Sequence, residues 1–382
     1  MGKNKKEMVE IAVVHDRLEN KGGGERVALE LAKALNAKTI YVACYTPEKT
    51  YEEFEKFNIV QLNRIPSLEW DKAYAIIRMI DAFRFLIHKE LEEYDLLWLS
   101  GMWAVFASNM NSKNIWYCHS PNRALYDLYE SIKSRYNFFW RTAFDLWAKS
   151  WRLIDRFVVM RNVKEIVVNS RNTQRRVVFA YGLPSHVIYP PVDTKKCYHA
   201  ESDGYWLSVQ RIMPEKRVDL QIEIFKRLPN EKLIIVGKAE YGTDYQKKIA
   251  KMVEKVRNVE WVGRVDEKTL IDLYAHCKGV IQTPIDEDFG MVPIEAMASG
   301  KPVLCVNEGG FRESVIHSKT GLLINPPYLA NFIKAIKNFD ETKFNPKIIR
   351  KRAEFFDISR FRKQIREKTK EVLRDGSESP DI

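Results

Sequence analysis

Residues 287–295 read Glu-Asp-Phe-Gly-Met-Val-Pro-Ile-Glu, and the chain continues with Ala-Met-Ala-Ser-Gly-Lys-Pro-Val. This stretch decides how the rest of the chain is interpreted, because it predicts a helix start with charged groups beside it. Proline suits the first turn of a helix, and glycine commonly follows the last residue of one. Pro293 and Gly300 therefore predict a short helix that runs to about Ala298.

Two glutamates, eight positions apart, bracket the start of this predicted helix. Glu295 falls in its first turn, whereas Glu287 stays on the loop before it. The N–H groups at a helix start attract anions, phosphate above all, and acids beside a phosphate suit the hydroxyl groups of a ribose and a sugar. An ordinary capped helix whose acids stabilise its dipole is the alternative. The amides expected at the anion site are those of Gly290, Met291 and Val292.

A second charged segment lies upstream, where Tyr205-Trp-Leu-Ser-Val-Gln-Arg-Ile-Met-Pro-Glu-Lys216 predicts an apolar strand that ends in cations. Arg211 closes the strand, and Lys216 follows five residues later. Arginine offers a planar fork and lysine a point charge, so the pair suits a diphosphate. A solvated basic loop is the alternative for this pair taken alone.

Two further strand ends complete a pattern that resembles a known family. The strand at 232–236 ends in a glycine, and Val259-Glu-Trp-Val-Gly-Arg264 places Gly263 and Arg264 at another strand end. The order Arg-x4-Lys, strand-Gly, Val-Gly-Arg, Glu-x7-Glu is similar to the C-terminal half of family 4 glycosyltransferases, over residues 203–325. These are retaining enzymes that use nucleotide-activated sugars.

The N-terminal half resembles the same family. Glu10-Ile-Ala-Val-Val-His15 predicts a buried strand, and Lys21-Gly-Gly-Gly-Glu-Arg26 opens a helix predicted over Val27–Leu35. A glycine-rich turn after a strand occurs in many doubly wound folds, but this one is similar to the Gly-Gly-x-Glu-Arg segment of the family. The resemblance implies that Gly23 and Gly24 let the backbone approach the donor.

A histidine follows another predicted strand, in Asn114-Ile-Trp-Tyr-Cys-His-Ser-Pro-Asn-Arg123. The His-Ser-Pro-x-Arg run is similar to that of mannosyltransferases that build lipid-linked or O-antigen-type glycans. The resemblance implies that His119 faces the donor sugar. A histidine that merely satisfies a strand end is the alternative.

Length and composition agree with two domains. The 382 residues are 45% hydrophobic, and strands alternate with helices throughout. The resemblance implies the GT-B fold: two facing doubly wound Rossmann-like α/β domains, with a charged amphipathic C-terminal helix that crosses back. Paired prolines at 189–193 mark the expected hinge. The predicted divisions are an acceptor-side domain at 1–192, a nucleotide-sugar-binding domain at 193–355, the crossover helix at 356–374 and a flexible tail at 375–382.

Composition also limits the cellular setting and the metal chemistry. Five scattered cysteines indicate a reducing compartment and no zinc site. The first seven residues lack the apolar core of a signal peptide, and the uncharged run 96–112 falls short of the roughly 20 apolar residues of a membrane span. We therefore expect a cytoplasmic protein, soluble or peripheral on the membrane. Asp286-Glu-Asp288 formally matches a metal-binding Asp-x-Asp pattern, but it overlaps the glutamate element, so no metal is expected.

The net charge of +11 is concentrated between residues 131 and 176, where eleven bases face three acids. Aromatic residues recur there at helical spacing, with bases on other faces. A helix on an anionic membrane surface has this pattern, and so does an ordinary helix that faces a core. We expect the aromatic residues to face the core and the exposed bases to attract an anionic membrane. The residues concerned are Trp140, Phe144, Trp147, Trp151 and Ile154, with Arg141, Arg152 and Arg156.

The resemblance implies sugar transfer with retained anomeric configuration, and it assigns a role to each site residue. The bond to the diphosphate breaks through an oxocarbenium-like state, so the main task is to stabilise the leaving phosphates. Arg211, Lys216 and the helix-start amides would do this. Glu295 would hold the ribose, Glu287 the transferred sugar, and His119 a sugar hydroxyl near the reacting carbon.

The resemblance favours GDP-mannose as the donor, no additional cofactor, and a glycan or polyprenyl-phosphate-linked glycan as the acceptor. A soluble glucosyltransferase that makes a disaccharide or storage glycan from UDP- or ADP-glucose is one alternative. A non-enzymatic basic protein that binds nucleic acid is another, since the pI is about 9.2. It would leave Glu287, Glu295 and Arg211 without a role, so no nucleic-acid partner is expected.

Overall fold

The computed structural model describes residues 9–63, 65, 71–238 and 244–375, and the chain divides into two compact units. Met1–Tyr189 together with Phe361–Ile382 form the N-terminal unit, and Pro190–Arg360 form the C-terminal unit. Each unit is described by itself below.

The N-terminal unit is built on a parallel sheet, as the alternation of predicted strands and helices indicates. Its strands are β1 (Ile11–Leu18), β2 (Thr39–Tyr45), β3 (Asn58–Gln61), β4 (Leu96–Ser100), β5 (Asn114–Cys118), β6 (Glu165–Val168) and β7 (His186–Val187). All neighbours pair in parallel, in the order β3-β2-β1-β4-β5-β6-β7.

Helices cover both faces of this sheet. Successive residues of a strand point to opposite faces, so each strand contributes side chains to a core on both sides. The helices before residue 190 are α1 (Gly23–Leu35), α2 (Asp71–Leu86), α3 (Tyr129–Lys133), α4 (Phe138–Asn162) and α5 (Arg171–Tyr181). On one face Val13 of β1 shares a core with Val27 of α1. On the other face the next residue, Val14, shares a core with Trp151 of α4 and Val177 of α5.

The C-terminal unit repeats this architecture. Its strands are β8 (Tyr205–Val209), β9 (Lys232–Val236), β10 (Val259–Gly263), β11 (Gly279–Gln282), β12 (Val303–Val306) and β13 (Gly321–Ile324). They pair in parallel in the order β10-β9-β8-β11-β12-β13. The helices are α6 (Val218–Lys226), α7 (Asp244–Val253), α8 (Glu267–His276), α9 (Val292–Ala298), α10 (Phe311–Ser314), α11 (Leu329–Lys337) and α12 (Pro346–Glu354).

The final helix, α13 (Ile358–Asp375), begins at the end of the C-terminal unit and continues in the N-terminal unit. Its Phe361, Ile365 and Val372 are buried in the core that also contains residues of α1. Nε1 of Trp98 in β4 donates to the hydroxyl of Thr369 at 3.0 Å. The crossover helix and the fold class of two doubly wound α/β domains are therefore confirmed.

One helix start differs from the sequence prediction. α1 begins at Gly23 and not at Val27, because Gly22 is its N-cap residue and the N–H of Arg26 donates to the Gly22 carbonyl at 3.0 Å. Gly23 and Gly24 therefore form the first turn of the helix. Glycine is destabilising in the middle of a helix, where the chain loses most conformational freedom, and these two glycines stand at its end.

Two predictions about buried and apolar segments can be compared with the structure. All five cysteines are buried and free, as expected for core residues. Within the described ranges, no helix is both long enough and apolar enough to cross a lipid bilayer.

Candidate active site

The centre of the C-terminal sheet is the point where its strand order reverses. β8 has β9 and β10 on one side and β11, β12 and β13 on the other, so the loops after β8 and β11 diverge. Such a switch point leaves a crevice at the carboxyl ends of parallel strands, and ligands bind there. Arg211 and Lys216 follow β8, and Glu287 follows β11. Three predicted site residues thus belong to the two loops that flank this crevice.

An ion pair joins these two loops. Nζ of Lys216 lies 2.6 Å from Oε2 of Glu287, and the two side chains are only 18% and 16% exposed. A charge-assisted hydrogen bond between partly buried groups restrains both side chains. A cation suited to phosphate and an acid suited to hydroxyl groups are therefore one hydrogen bond apart. A sugar diphosphate carries both kinds of group close together, because one oxygen links its sugar to its phosphates.

Arg217, which the sequence analysis did not single out, also connects the two loops. Its Nε donates to the carbonyl of Thr283 at 2.6 Å, and its Nη2 donates to the carbonyl of Pro284 at 3.1 Å and to Glu308 at 2.9 Å. Glu308 in turn accepts a hydrogen bond from the N–H of Asp286 at 3.1 Å. Arg217 therefore anchors the loop that carries the site glutamate.

Two glycines, also missed from the sequence, permit the close packing of this loop. A Cβ on Gly309 would lie 2.3 Å from the carbonyl oxygen of Glu287, and a Cβ on Gly310 would lie 2.4 Å from Cα of Phe289. The N–H of Gly310 donates to the Glu287 carbonyl at 2.8 Å. Only glycine fits at both positions, because the neighbouring atoms belong to the backbone and cannot rotate away.

The helix predicted from residues 287–300 is confirmed. α9 begins at Val292 with Glu295 in its first turn, and Gly290 adopts a φ of +81° before it. A Cβ on Gly290 would also lie 2.4 Å from Phe311, so both backbone and packing require glycine. Tyr274 donates to Oε2 of Glu295 at 2.6 Å. Burial, and then the carboxylate, raise the pKa of Tyr274 well above that of an ordinary tyrosine, so its hydroxyl stays a donor.

The other residues predicted to bind the donor are spread along the same edge of the sheet. Arg211 is exposed just after β8, while Gly263, with a φ of +74°, and the exposed Arg264 lie at the end of β10. β9 separates β10 from β8, which puts these two residues roughly 10 Å from the crevice by the spacing of strands. Their donor contacts stay a prediction, as do those of the amides around Met291.

The N-terminal sheet has a switch point of its own, between β1 and β4. His15 pairs there with Ser100, and Nδ1 of His15 lies 2.7 Å from the Ser100 carbonyl. A carbonyl only accepts, so this nitrogen carries a proton. Burial lowers the pKa of His15, which favours the neutral ring. Oγ of Ser100 lies 3.0 Å from Nε2 of His119, so the hydroxyl links the two histidines.

This cluster includes two of the predicted site residues. A Cβ on Gly24 would lie 3.8 Å from Cε1 of His15, so the first turn of α1 passes close to the buried ring. Nδ2 of Asn169 donates to the carbonyl of His119 at 2.8 Å and restrains its backbone. His15 and Ser100 were missed because a single polar residue in an apolar strand forms no pattern. Only the pairing of β1 with β4, and of β4 with β5, brings them beside His119.

The acidic motif 286–288 was predicted to hold no metal. In the segments that the structure describes, no group of three or more His, Cys, Asp or Glu side chains is placed to hold a metal ion. Metal independence itself stays a prediction.

Two doubly wound parallel sheets, each with polar or charged groups at its switch point, are the architecture of the GT-B class of glycosyltransferases. The chain belongs to glycosyltransferase family 4. The family profile described as Glycosyltransferase Family 4 matches residues 21–196, and the profile described as Glycosyl transferases group 1 matches residues 193–354. The resemblance drawn from the motifs is thereby confirmed over both halves of the chain.

Several relatives match along most of their length. The alpha-1,3/1,6-mannosyltransferase ALG2 of Mus musculus is 27% identical over 365 residues, which covers 83% of this chain and 84% of that protein. The ALG2 protein of Dictyostelium discoideum is 25% identical over 403 residues, with 91% and 93% covered. An uncharacterised glycosyltransferase of Methanocaldococcus jannaschii is 28% identical over 337 residues, with 84% and 86% covered.

Solved structures share the fold at lower identity. HepE of Anabaena, crystallised with UDP and glucose, superposes with a TM-score of 0.73 at 19% identity, covering 94% of this chain and 99% of that one. Sucrose-phosphate synthase from Thermosynechococcus elongatus superposes with a TM-score of 0.77 at 16% identity, covering 96% and 100%. At these identities the likeness establishes the GT-B fold alone.

Proposed function

We propose that this glycosyltransferase moves a mannosyl group from GDP-mannose, with retention of configuration, to a glycan carried on a polyprenyl phosphate at the cytoplasmic face of a membrane. The observation that carries the proposal is the contact between Lys216 and Glu287 at the switch point of the C-terminal sheet. The choice of mannose is supported by the His-Ser-Pro-x-Arg run and by the relatives named as mannosyltransferases.

The C-terminal unit stabilises the leaving group in this mechanism. As the bond between the sugar and the diphosphate breaks, negative charge grows on the phosphate oxygens. Lys216 and Arg211 bind those oxygens, and the amides around Met291 donate to them. Glu287 leaves Lys216 for a hydroxyl of the transferred sugar, and Glu295, held by its tyrosine partner, accepts from the ribose.

The N-terminal unit supplies His119 to a sugar hydroxyl near the reacting carbon. The hydroxyl of Ser100 lies beside Nε2 of this histidine and limits the rotation of the ring. Oriented groups of this kind lower the barrier because they need no rearrangement when charge develops.

Binding of nucleotides tests the donor assignment. Thermal unfolding is followed with GDP, UDP, ADP and their sugar forms, since a ligand at 100 times its dissociation constant adds about 2.7 kcal/mol to the free energy of unfolding. We expect GDP and GDP-mannose to stabilise the protein, and Lys216→Ala to reduce that shift while the unliganded variant stays folded. Stabilisation by UDP or ADP without any effect of GDP would overturn the mannose assignment and favour the glucosyltransferase alternative.

Metal independence belongs to the same proposal, because Arg211 and Lys216 supply the positive charge that a divalent ion supplies elsewhere. Transfer is expected to continue in excess chelator. Complete loss of transfer that only Mg²⁺ or Mn²⁺ restores would contradict it.

A further inference from the structure

Helix α4 presents apolar residues in two opposite directions. Toward the sheet, Trp151, Val158 and Val159 are buried. Away from the sheet, a row of large apolar side chains is between 51% and 72% exposed. We call this row the outer stripe, and it consists of Phe139, Leu146, Leu153, Phe157 and Met160.

The outer stripe is continuous along the helix. Steps of seven residues lead from Phe139 to Leu146, Leu153 and Met160, and seven residues make almost two turns of 3.6 residues each. The side chains of the stripe therefore fall within an arc of ~60°, and the row runs for about 32 Å. Exposed apolar residues that stand singly are normal, whereas a continuous row marks a surface that binds something.

This is not the face that the sequence pattern suggested. Phe144 and Trp147 pack against the N-terminal core and Trp151 is buried in it, as expected. The expectation was wrong for Trp140 and Ile154, which are exposed. Two of the bases assigned to a membrane-facing side bind backbone carbonyls of the unit: Arg141 donates to Tyr136 and Ser134, and Arg152 donates to Leu125. The pattern failed here because both faces of α4 are apolar.

The acids of α4 are already engaged with other residues. Asp145 accepts hydrogen bonds from Tyr129 and Lys133, and the buried Asp155 accepts from Tyr126 and Tyr181. Asp145 lies on the same side of the helix as Lys149 and Arg156, but its charge is paired with Lys133 at 3.0 Å.

Bases flank the outer stripe instead. By helical geometry Lys149 and Arg156, both exposed, lie along one side of it, and Arg161 lies on the other, 5.6 Å from the centre of the Phe157 ring. Apolar side chains with cations on both sides match a bilayer with anionic headgroups, where the apolar chains enter the acyl boundary and the cations meet the phosphates. A second copy of this chain would bring bases against bases, which is unfavourable.

We propose that the outer stripe of α4 is a lipid-docking surface that holds the helix parallel to an anionic bilayer. The proposal rests on the proposed function in one respect, because a lipid-linked acceptor requires the enzyme to reach a membrane. The evidence for this surface is the exposure of the stripe and the positive charge beside it. Phe139, Leu153 and Met160 enter the boundary of the acyl chains, while Lys149 and Arg156 bind headgroup phosphates.

Vesicle sedimentation tests this surface without any sugar transfer. Full-length protein is mixed with phosphatidylcholine vesicles, with or without phosphatidylglycerol, at low and high salt. We expect wild type to pellet only with phosphatidylglycerol at low salt, and salt to release it. Lys149→Ala combined with Arg156→Ala should lower partitioning about 30-fold, since each cation contributes about 1 kcal/mol, a factor of about five.

The apolar part of the surface has its own variant. Leu146→Glu combined with Leu153→Glu should abolish pelleting, because carboxylates cannot enter the acyl boundary. Both side chains are exposed, so the far-ultraviolet circular dichroism and the melting temperature should stay unchanged. The matched controls lie in the C-terminal unit: Ile348→Glu on the exposed side of α12, and Lys247→Ala with Lys251→Ala on α7, all of which should pellet like wild type.

Two results would overturn the proposal. One is pelleting of the glutamate variant at the wild-type level. The other is a dimer in solution that the glutamate variant dissociates, without vesicle binding by wild type, which would assign the stripe to a second copy of the chain. The nucleotide-induced thermal shift is measured on the same samples. A normal shift with no vesicle binding would reject the lipid surface alone, whereas vesicle binding with no shift would reject the proposed donor alone.

Discussion

The ammonium group of Lys216 and the carboxylate of Glu287 restrain each other at the point where the C-terminal strand order reverses. At the scale of single residues, this contact makes the site specific, because a cation or an acid alone would fit many ligands. The pair also explains why the two residues can have different roles in one reaction: a lysine binds a point of negative charge, whereas a carboxylate accepts from hydroxyl groups.

Arg211→Ala and Lys216→Ala should each lower kcat strongly and leave the fold intact. Each removes a cation whose attraction to the phosphates grows in the transition state, an effect on the order of 2.7–4 kcal/mol by analogy with the loss of an oxyanion donor. Steady-state kinetics with saturating donor measure it. Arg227→Ala, which removes an exposed base paired with Glu223 on α6, is the control and should retain full turnover. Near-normal turnover in both site variants would show that Arg211 and Lys216 do not bind the diphosphate.

Substitutions of the two glutamates should affect different kinetic parameters. Glu295→Gln is expected to weaken donor binding more than it slows the bound complex, because a ribose contact is the same in the ground and transition states. Glu287→Gln should mainly lower kcat, because the charge of the sugar that it contacts changes during the reaction. Donor titration and single-turnover rates measure both. If the pattern were reversed, the two roles would have to be exchanged.

Ser100→Ala should slow turnover about two- to tenfold, the range expected for one lost hydrogen bond. Its hydroxyl is the partner of His119 Nε2, so the pH profile of kcat should also shift. A merely structural serine would change stability and leave that profile in place. Ser108→Ala removes another buried serine of the same unit and serves as the control. An unchanged pH profile with Ser100→Ala would separate Ser100 from the function of His119.

At the scale of elements, α4 carries a buried titratable group whose effect on stability has a definite sign. Burial raises the pKa of Asp155 from 3.8 to about 6, although the hydroxyls of Tyr126 and Tyr181 oppose the shift. The folded state therefore holds this proton more tightly than the unfolded state. The resulting stability is fully present below pH 3.8 and is lost as the pH rises through about 6.

Asp155→Asn removes this titration while its amide oxygen can still accept from the two tyrosines. The difference in unfolding free energy between the variant and wild type should be constant below about pH 4 and should grow in favour of the variant, on the order of 3 kcal/mol by about pH 7. Urea unfolding across this range measures it. A difference that does not change with pH would contradict the shifted carboxyl group.

Elements with strong local signals were predicted well from the sequence. β9 has the predicted bounds, and α9 starts beside Pro293 with Glu295 in its first turn. The residues that hold the site loops in place could not be predicted, because they lie far apart in the chain. In the sequence, Arg217 is one of several bases in a loop and Gly309 is an ordinary turn glycine. Their roles become visible only when β8, β11 and β12 lie side by side in the sheet.

At the scale of the whole molecule, each unit has its polar cluster at its own switch point, and each was found only in part from the sequence. The motifs identified the residues that resemble the family, Lys216 and Glu287 in one unit and Gly24 and His119 in the other. Strand pairing then supplied their neighbours. The outer stripe of α4 was not foreseen, because hydrophobic spacing does not tell which of two apolar faces is covered.

Nuclear magnetic resonance of the product tests whether the enzyme transfers mannose from GDP-mannose with retention of configuration. The protein is incubated with GDP-α-mannose and a mannose-terminated lipid-linked acceptor, and the anomeric configuration of the new linkage is read from its one-bond carbon–hydrogen coupling. We expect wild type to form an α-linked mannose, and Lys216→Ala to form much less of it. A β-linked product, or transfer from UDP-glucose with none from GDP-mannose, would contradict it.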